Sequence, residues 1–436
     1  MIPKTICFYF ELHQPFRVNF SESKNPDDYF EGPGGDNPNY IYGNKNIFEK
    51  VAQASYIPAT QKWLELLSKH KELKISLAIS GVLLDQCILW PDYGLQVIAN
   101  IRKMLDTGRV ELLAETYYHS LACLFSTVEF IEQIQLHRLR LKTLFNYEPT
   151  SFRNTELIYN DYIGSLIRQI GYKSTVIEDV AADFEQESAV KLARAKLVNL
   201  SPVDLQLAQS NQIDTPAQEL SLIIKSYKIV GSFFAMRHHT AEELTKFVKS
   251  LEHSPIGIFT DFEIFGEHNG EETQTFQKLE ELIDALTLAG YEYKNVTEFN
   301  QPAVSQLPEV SHDQHSSWTN SWHSLISWRG NPLQEDAFQK LEQSYTLVQK
   351  LKALPADMER DSLLDYWRRL TTSDNFYYMS QLPGEDGVVH AMFNAYPDAQ
   401  TAYDTYVKVL DSICKIIQTK INSPANKLTE IWDNLV

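Results

Sequence analysis

Short strand-like apolar runs recur through the first three hundred residues, at 5–10, 74–80, 110–114, 151–152, 173–177, 220–226 and 256–260. Helical patterns lie between several of them. Residues 56–70 set Trp63, Leu64, Leu66 and Leu67 on one stripe. Residues 161–171 carry Ile163, Leu166, Ile167 and Ile170 at helical spacing, with Gly171 as a C-terminal stop. Residues 276–290 carry Leu279, Leu282, Ile283 and Leu286. Alternation of strand and helix over this length is the pattern of a mostly parallel α/β sheet, because parallel neighbours need crossover connections. Closed or nearly closed, such a sheet is a (β/α) barrel.

A chain of 436 residues exceeds what one core holds, so a smaller second domain is expected. Residues 300–318 are rich in Gln, Pro, Ser and His without a period and read as a linker or long loop. Beyond them, 336–354, 358–370 and 399–419 have apolar residues three and four apart opposite charged faces. The domains expected are therefore a catalytic barrel over 1–300 and a linker plus helical C-terminal domain over 301–436. The insert at 19–46, with its Gly, Pro, Asn and Asp, reads as a long loop of functional size.

The balance of 39 basic against 57 acidic residues gives a net charge of −18, which argues against a nucleic-acid partner. No run approaches the length of a membrane span, and the apolar start stops at Glu11, so a cytoplasmic protein without membrane contact is expected. Cys7, Cys87, Cys123 and Cys414 have neither paired nor zinc-like spacing. Arg237-His238-His239 and His253 lack a ligand pattern, so no metal is expected. Phosphate-binding glycine loops and a Gly-x-Ser-x-Gly elbow are also missing, so no nucleotide cofactor and no serine nucleophile is expected.

The chemistry-bearing stretches sit where apolar runs stop. His13-Gln14-Pro15 follows the first run, where a barrel opens onto its active face and these side chains can bind sugar hydroxyls. Glu111 lies in 110–114, and if inward needs partners or a raised pKa; a structural salt bridge by Glu111 or Glu115 is the competing reading. Glu156 follows Arg153-Asn154-Thr155, and a nearby Arg keeps a carboxylate ionised as a nucleophile requires; a helix-capping carboxylate is the alternative. Asp261, Glu263, Glu267 and His268 crowd the end of 256–260 among Phe262, Ile264 and Phe265, which should raise at least one carboxyl pKa. Two carboxylates at the ends of different strands suit glycosidic bond cleavage. Trp318, Trp322, Trp328 and the Asp374-Asn375 stretch read either as a sugar-stacking surface or as aromatics buried between helices and barrel.

In order, these stretches resemble glycoside hydrolase family 57, the α-amylase type 2 group. His13-Gln14-Pro15 is similar to its first motif, residues 108–111 to its second, 152–159 to its third, 261–268 to its fourth and 373–379 to its fifth. The resemblance implies an incomplete (β/α)7 TIM-like barrel with a helical C-terminal region, retention of anomeric configuration and no obligatory metal. It implies Glu156 as nucleophile and Asp261 as acid/base. It implies a substrate-contacting Asp at Asp374; the other candidate substrate contacts are His13, Gln14, Glu111, Arg153, Glu263 and Trp328. Asn375 stands where amylase-like members have His. The substrate implied is an α-glucan or maltooligosaccharide. Rival readings are a 4-α-glucanotransferase or branching enzyme, a non-catalytic glucan-binding homologue, and a metal-dependent polysaccharide deacetylase.

Overall fold

The computed structural model describes residues 4–22, 25–32, 43–178, 191–216, 218–225, 240–250, 255–299, 304–319, 323–382 and 394–423. Arg237, His238, His239, His253 and Trp322, singled out above, lie outside the described residues, as does much of the 19–46 insert. The chain divides into two compact units. One comprises Met1–Gln14, Phe48–Tyr117 and Ser126–Ser324; the other comprises Pro15–Ile47, Tyr118–Phe125 and Leu325–Val436.

The first unit is α/β. Its strands are β1 (Thr5–Leu12), β2 (Ile75–Ile79), β3 (Val110–Leu113), β4 (Ser151–Arg153), β5 (Ser174–Glu178), β6 (Lys191–Ala195), β7 (Ser221–Lys225), β8 (Ile256–Asp261), β9 (Glu292–Tyr293) and β10 (Glu309–Val310). One sheet has the order β3-β2-β1-β8, with β9 also on β1; the other runs β10-β6-β7-β5-β4. A single bridge, Ala114 to Phe152, joins β3 to β4. Every pairing is parallel except β6 with β7. A closed sheet is not seen: among the described residues β7 and β8 are not paired and the sheet does not close. An antiparallel β6 instead covers the outer edge of β7.

Both sheets nevertheless share a core. Cys7 and Tyr9 of β1, Ala78, Leu113, Val176, Ile223 and Phe259 meet Leu157 and Val296, with Trp318 and Leu192 packed against them. All eight residues of β1 are buried, as a central parallel strand covered on both faces requires. The helices come where their periodicity puts them. Helix Asp161–Ile170 is capped by the Asn160 side chain, which accepts from the Ile163 N–H at 2.9 Å, and it ends at Gly171 with φ 118°. Helix Thr275–Leu288 buries Leu279, Leu282, Ile283 and Leu286, each worth about 2 kcal/mol of burial.

Buried hydroxyls collect at the strand beginnings. Ser76 and Ser151 donate to the Glu111 carboxylate at 2.9 and 2.8 Å, Ser174 meets Ser151 at 2.8 Å, and the Thr297 N–H and hydroxyl complete the shell. Burial raises the Glu111 pKa and these donors oppose the rise.

The second unit is helical. Pro332–Lys352, Met358–Arg369 and Ala399–Ile421 bury Leu341, Val348, Leu363, Trp367, Val409 and Ile413. Within it, Phe30 of the insert stacks on Tyr366 at 5.7 Å, and the Arg369 guanidinium lies 4.2 Å from the Phe16 ring centroid.

Candidate active site

Parallel strands end on a common edge. Here β1, β3, β4 and β8 run out into His13, Glu115, the turn holding Glu156, and the loop after Asp261. Register ties two of these ends together, because Glu11 of β1 pairs with Asp261 of β8. The Arg153 guanidinium, at the end of β4, forms an ion pair with Glu11, and both are buried. Burial disfavours the Arg153 charge. Glu11 above all, then Tyr9, Glu115 and Glu156, hold it and leave its pKa above the ordinary value. The Tyr9 hydroxyl faces the same group. Burial raises its pKa, Arg153 opposes, and Glu11, Glu115 and Asp261 add to the rise.

Glu156 follows β4 in a tight turn, Thr155–Leu157, with φ 56° and ψ 23°. Leu157 is also left-handed, at φ 52°. Consecutive non-glycine residues in this region cost about 1–3 kcal/mol each and persist only where the surroundings impose them. The Asn154 side-chain amide donates to the Ile158 carbonyl at 2.8 Å, and the Trp318 indole N–H donates to Glu156 Oε2 at 2.7 Å. Glu156 is half-buried and Asp261 exposed, so both side chains reach solvent.

Behind Asp261, Glu263 is buried. It accepts from the Tyr56 hydroxyl at 2.5 Å and from the His13 N–H at 3.3 Å. Burial first, and the Asp261 charge second, push its carboxyl up to about 8. This is the raised carboxyl that charge crowding predicts, on Glu263. Tyr56 closes a single π-helical turn, Ala52–Tyr56. That turn also receives Gly266, whose φ is 102° and where an added Cβ would stand 1.9 Å from the Ala54 carbonyl oxygen. His268 is mostly buried, which lowers its pKa against the opposing charges of Asp261 and Glu267.

The remaining expected residues distribute as follows. The His13 ring meets Ser80 Oγ at 2.8 Å through Nδ1. Gln14 accepts at its carbonyl from Gln86 at 2.7 Å. Arg153 pairs with Glu11 as its partner, with Glu156 a weaker influence. Glu111 belongs to the hydroxyl cluster at the strand beginnings, away from the edge that carries Asp261, which accounts for it as a structural anchor. In the second unit, Trp328 is 0% exposed in helix Ile326–Arg329, so it is a core residue and no stacking platform. Asp374 is half-buried in helix Ser373–Tyr377, and Asn375 donates to the Arg369 carbonyl at 3.1 Å.

Sequence reasoning gave no role to Glu11 or Tyr56, offered Glu115 only as a structural salt bridge, and grouped Trp318 with Trp328, which is a core residue. Glu11 had a signal: it is the one charge within Cys7-Phe8-Tyr9-Phe10-Glu11-Leu12, and a carboxylate in such a strand needs a partner. Trp318 had none, since its bond to Glu156 spans 162 residues.

Comparison with known proteins bears on this arrangement. A Methanocaldococcus jannaschii protein named "Putative alpha-amylase" is 30% identical over 424 residues, spanning 93% of this chain and 83% of its own length. A Pyrococcus horikoshii protein named alpha-amylase is 21% identical over 301 residues, of which the match spans 43% of the relative. Among solved structures, the GH57-type branching enzyme of Pyrococcus horikoshii superposes with a TM-score of 0.66 at 12% identity, over 93% of this chain and 88% of that one. The 4-alpha-glucanotransferase of Thermococcus litoralis gives 0.52 at 16% identity, over 86% of this chain and 51% of that one. At these identities the structural likeness is one of fold. The family model of glycosyl hydrolase family 57 matches residues 7–311, and with it the chain belongs to that family.

Proposed function

We propose that this chain is a retaining α-glucan hydrolase of the α-amylase type, cleaving α-1,4-glucosidic bonds of starch, glycogen or maltooligosaccharides. Glu156 attacks the anomeric carbon as its bond to the leaving oxygen breaks, and that oxygen takes a proton from Asp261. Water then gives its proton to Asp261 and displaces the sugar from Glu156. The observation that carries this reading is the strained turn at the end of β4. It holds an accessible carboxylate, fixed by Trp318, whose charge acts on Arg153, and Arg153 and Asp261 both act on the Tyr9 hydroxyl. A retaining pair requires its carboxyl groups about 5–5.5 Å apart. The framework is an incomplete (β/α)7 barrel followed by helices, working in the cytoplasm.

Glu156→Gln should lower turnover at least about a thousandfold while the fold survives. Near-normal turnover would remove Glu156 from the chemistry. A 4-α-glucanotransferase or branching enzyme would use the same two carboxylates with a sugar hydroxyl as acceptor. The fold shared with enzymes of those names favours keeping this second reading. Maltoheptaose separates the two. Hydrolysis raises the reducing-end count; transfer gives longer and shorter chains at a constant count.

A further inference from the structure

Trp318 lies on a strap that is laced onto the chain just after Glu156. β10 anchors the strap to β6. The Asp161 N–H donates to the His312 carbonyl at 3.0 Å, and Asp161 in turn accepts from the His312 N–H and the Ser311 hydroxyl, each at 2.8 Å. Tyr159 and Ser316 exchange both backbone hydrogen bonds, at 3.1 and 2.8 Å. At the next residue, the Ser317 N–H donates to the His323 carbonyl at 2.9 Å and its hydroxyl to the Ser324 carbonyl at 2.6 Å. The backbone leading into Trp318 is thus held by Ser316 and Ser317, and Trp318 lies two residues from a bridge whose partner is three residues from Glu156.

The indole is engaged in three ways. Its N–H points to Glu156 Oε2 at 2.7 Å, the ring packs against the shared core, and Lys225 Nζ lies 6.0 Å from the ring centroid. Indole nitrogen is a donor only, so this bond requires an acceptor and favours the ionised carboxylate. It also fixes the rotation of the carboxylate about its last bond.

We propose that Trp318 is the positioning residue of Glu156, acting through its N–H and not as a sugar-stacking platform. This rests on the reading of Glu156 as nucleophile. The bond has most to offer when Glu156 carries charge, before attack and again as the sugar leaves. It weakens when the carboxylate becomes an ester.

The test is Trp318→Phe, which keeps an aromatic ring and removes the donor. Turnover should fall about ten- to a hundredfold with KM nearly unchanged. The acid limb of kcat/KM should move up by about one pH unit, since a carboxylate that loses a donor binds its proton more tightly. A raised KM with an unmoved acid limb is the result of a stacking role and would overturn the proposal. A second measurement uses the unaltered protein with ¹⁵N-labelled tryptophan. One of the seven indole N–H resonances should shift as pH crosses the acid limb, and this titration should vanish in Glu156→Gln. If no indole follows that limb, the proposal fails even though Glu156→Gln is inactive. An active Glu156→Gln would sink the nucleophile reading and this inference with it.

Discussion

Glu263 makes stability depend on pH in a direction opposite to that of an exposed, salt-bridged acid. Its carboxyl titrates near 4.5 in an ordinary setting and at about 8 in the folded chain, raised by burial and by Asp261. Below about pH 4.5 both folded and unfolded chains hold the proton. Between the two values the unfolded chain releases it and the folded chain keeps it, so the folded state loses ground as pH rises. Above about 8 the loss is complete. A difference of roughly 3.5 units is a ceiling of roughly 5 kcal/mol. Glu263→Gln removes the ionisation but keeps a neutral oxygen to accept from Tyr56 and the His13 N–H. Urea denaturation at pH 5, 6.5 and 8.5 should show variant and native protein similar at pH 5. The variant should then gain by at least about 2 kcal/mol at pH 8.5. A difference independent of pH would refute the reasoning, as would native protein gaining on the variant with rising pH.

Other outcomes follow from the same site. Arg153→Met should destabilise by about 3–5 kcal/mol because Glu11 keeps an uncompensated buried charge, and adding Glu11→Gln should recover much of the loss in a double-mutant cycle. Gly266→Ala should lower the melting temperature, at a cost of about 2 kcal/mol or more, from its positive φ and the collision with the Ala54 carbonyl; an unchanged melting curve would count against the described turn. Asp261→Asn should abolish cleavage of maltooligosaccharides yet still release a phenolate-type leaving group that needs no proton, seen as a burst of chromophore. Asn160→Ala should cost about 1 kcal/mol of stability by removing the cap of helix Asp161–Ile170.

Where a local rule dictates structure, the sequence was legible. The seven runs became β1 to β5, β7 and β8, and Gly171 stops its helix because the left-handed terminus favours glycine. The four residues named on 276–290 are all buried. The antiparallel strand β6 is not legible although Lys191-Leu192-Ala193-Arg194-Ala195 alternates, because Leu192 is its one large apolar residue among Lys, Arg and Ala, of which Lys and Ala are poor strand formers. β10 was read as linker since two residues carry no period. The site was legible in its carboxylates and not in their supports. The raised pKa of Glu263 depends first on its burial, which the sequence around it does not announce, and the Tyr56 hydroxyl that donates to it, 207 residues away, opposes the rise. The burial of Trp328 depends on packing within the helical unit, which composition does not specify.

The central position of β1 has a consequence during synthesis. Its partners are Ile75–Ile79 and Glu292–Tyr293 on one edge and Ile256–Asp261 on the other. At about 5–20 residues per second, the ribosome leaves one edge of this strand, buried along its whole length in the folded chain, without its mate for on the order of ten seconds or more. The nascent chain must therefore be sheltered from its neighbours over that interval. The Glu11 carboxylate waits as well: its ion-pair partner Arg153 lies 142 residues further along the chain, so this buried charge has no counter-charge until residue 153 emerges.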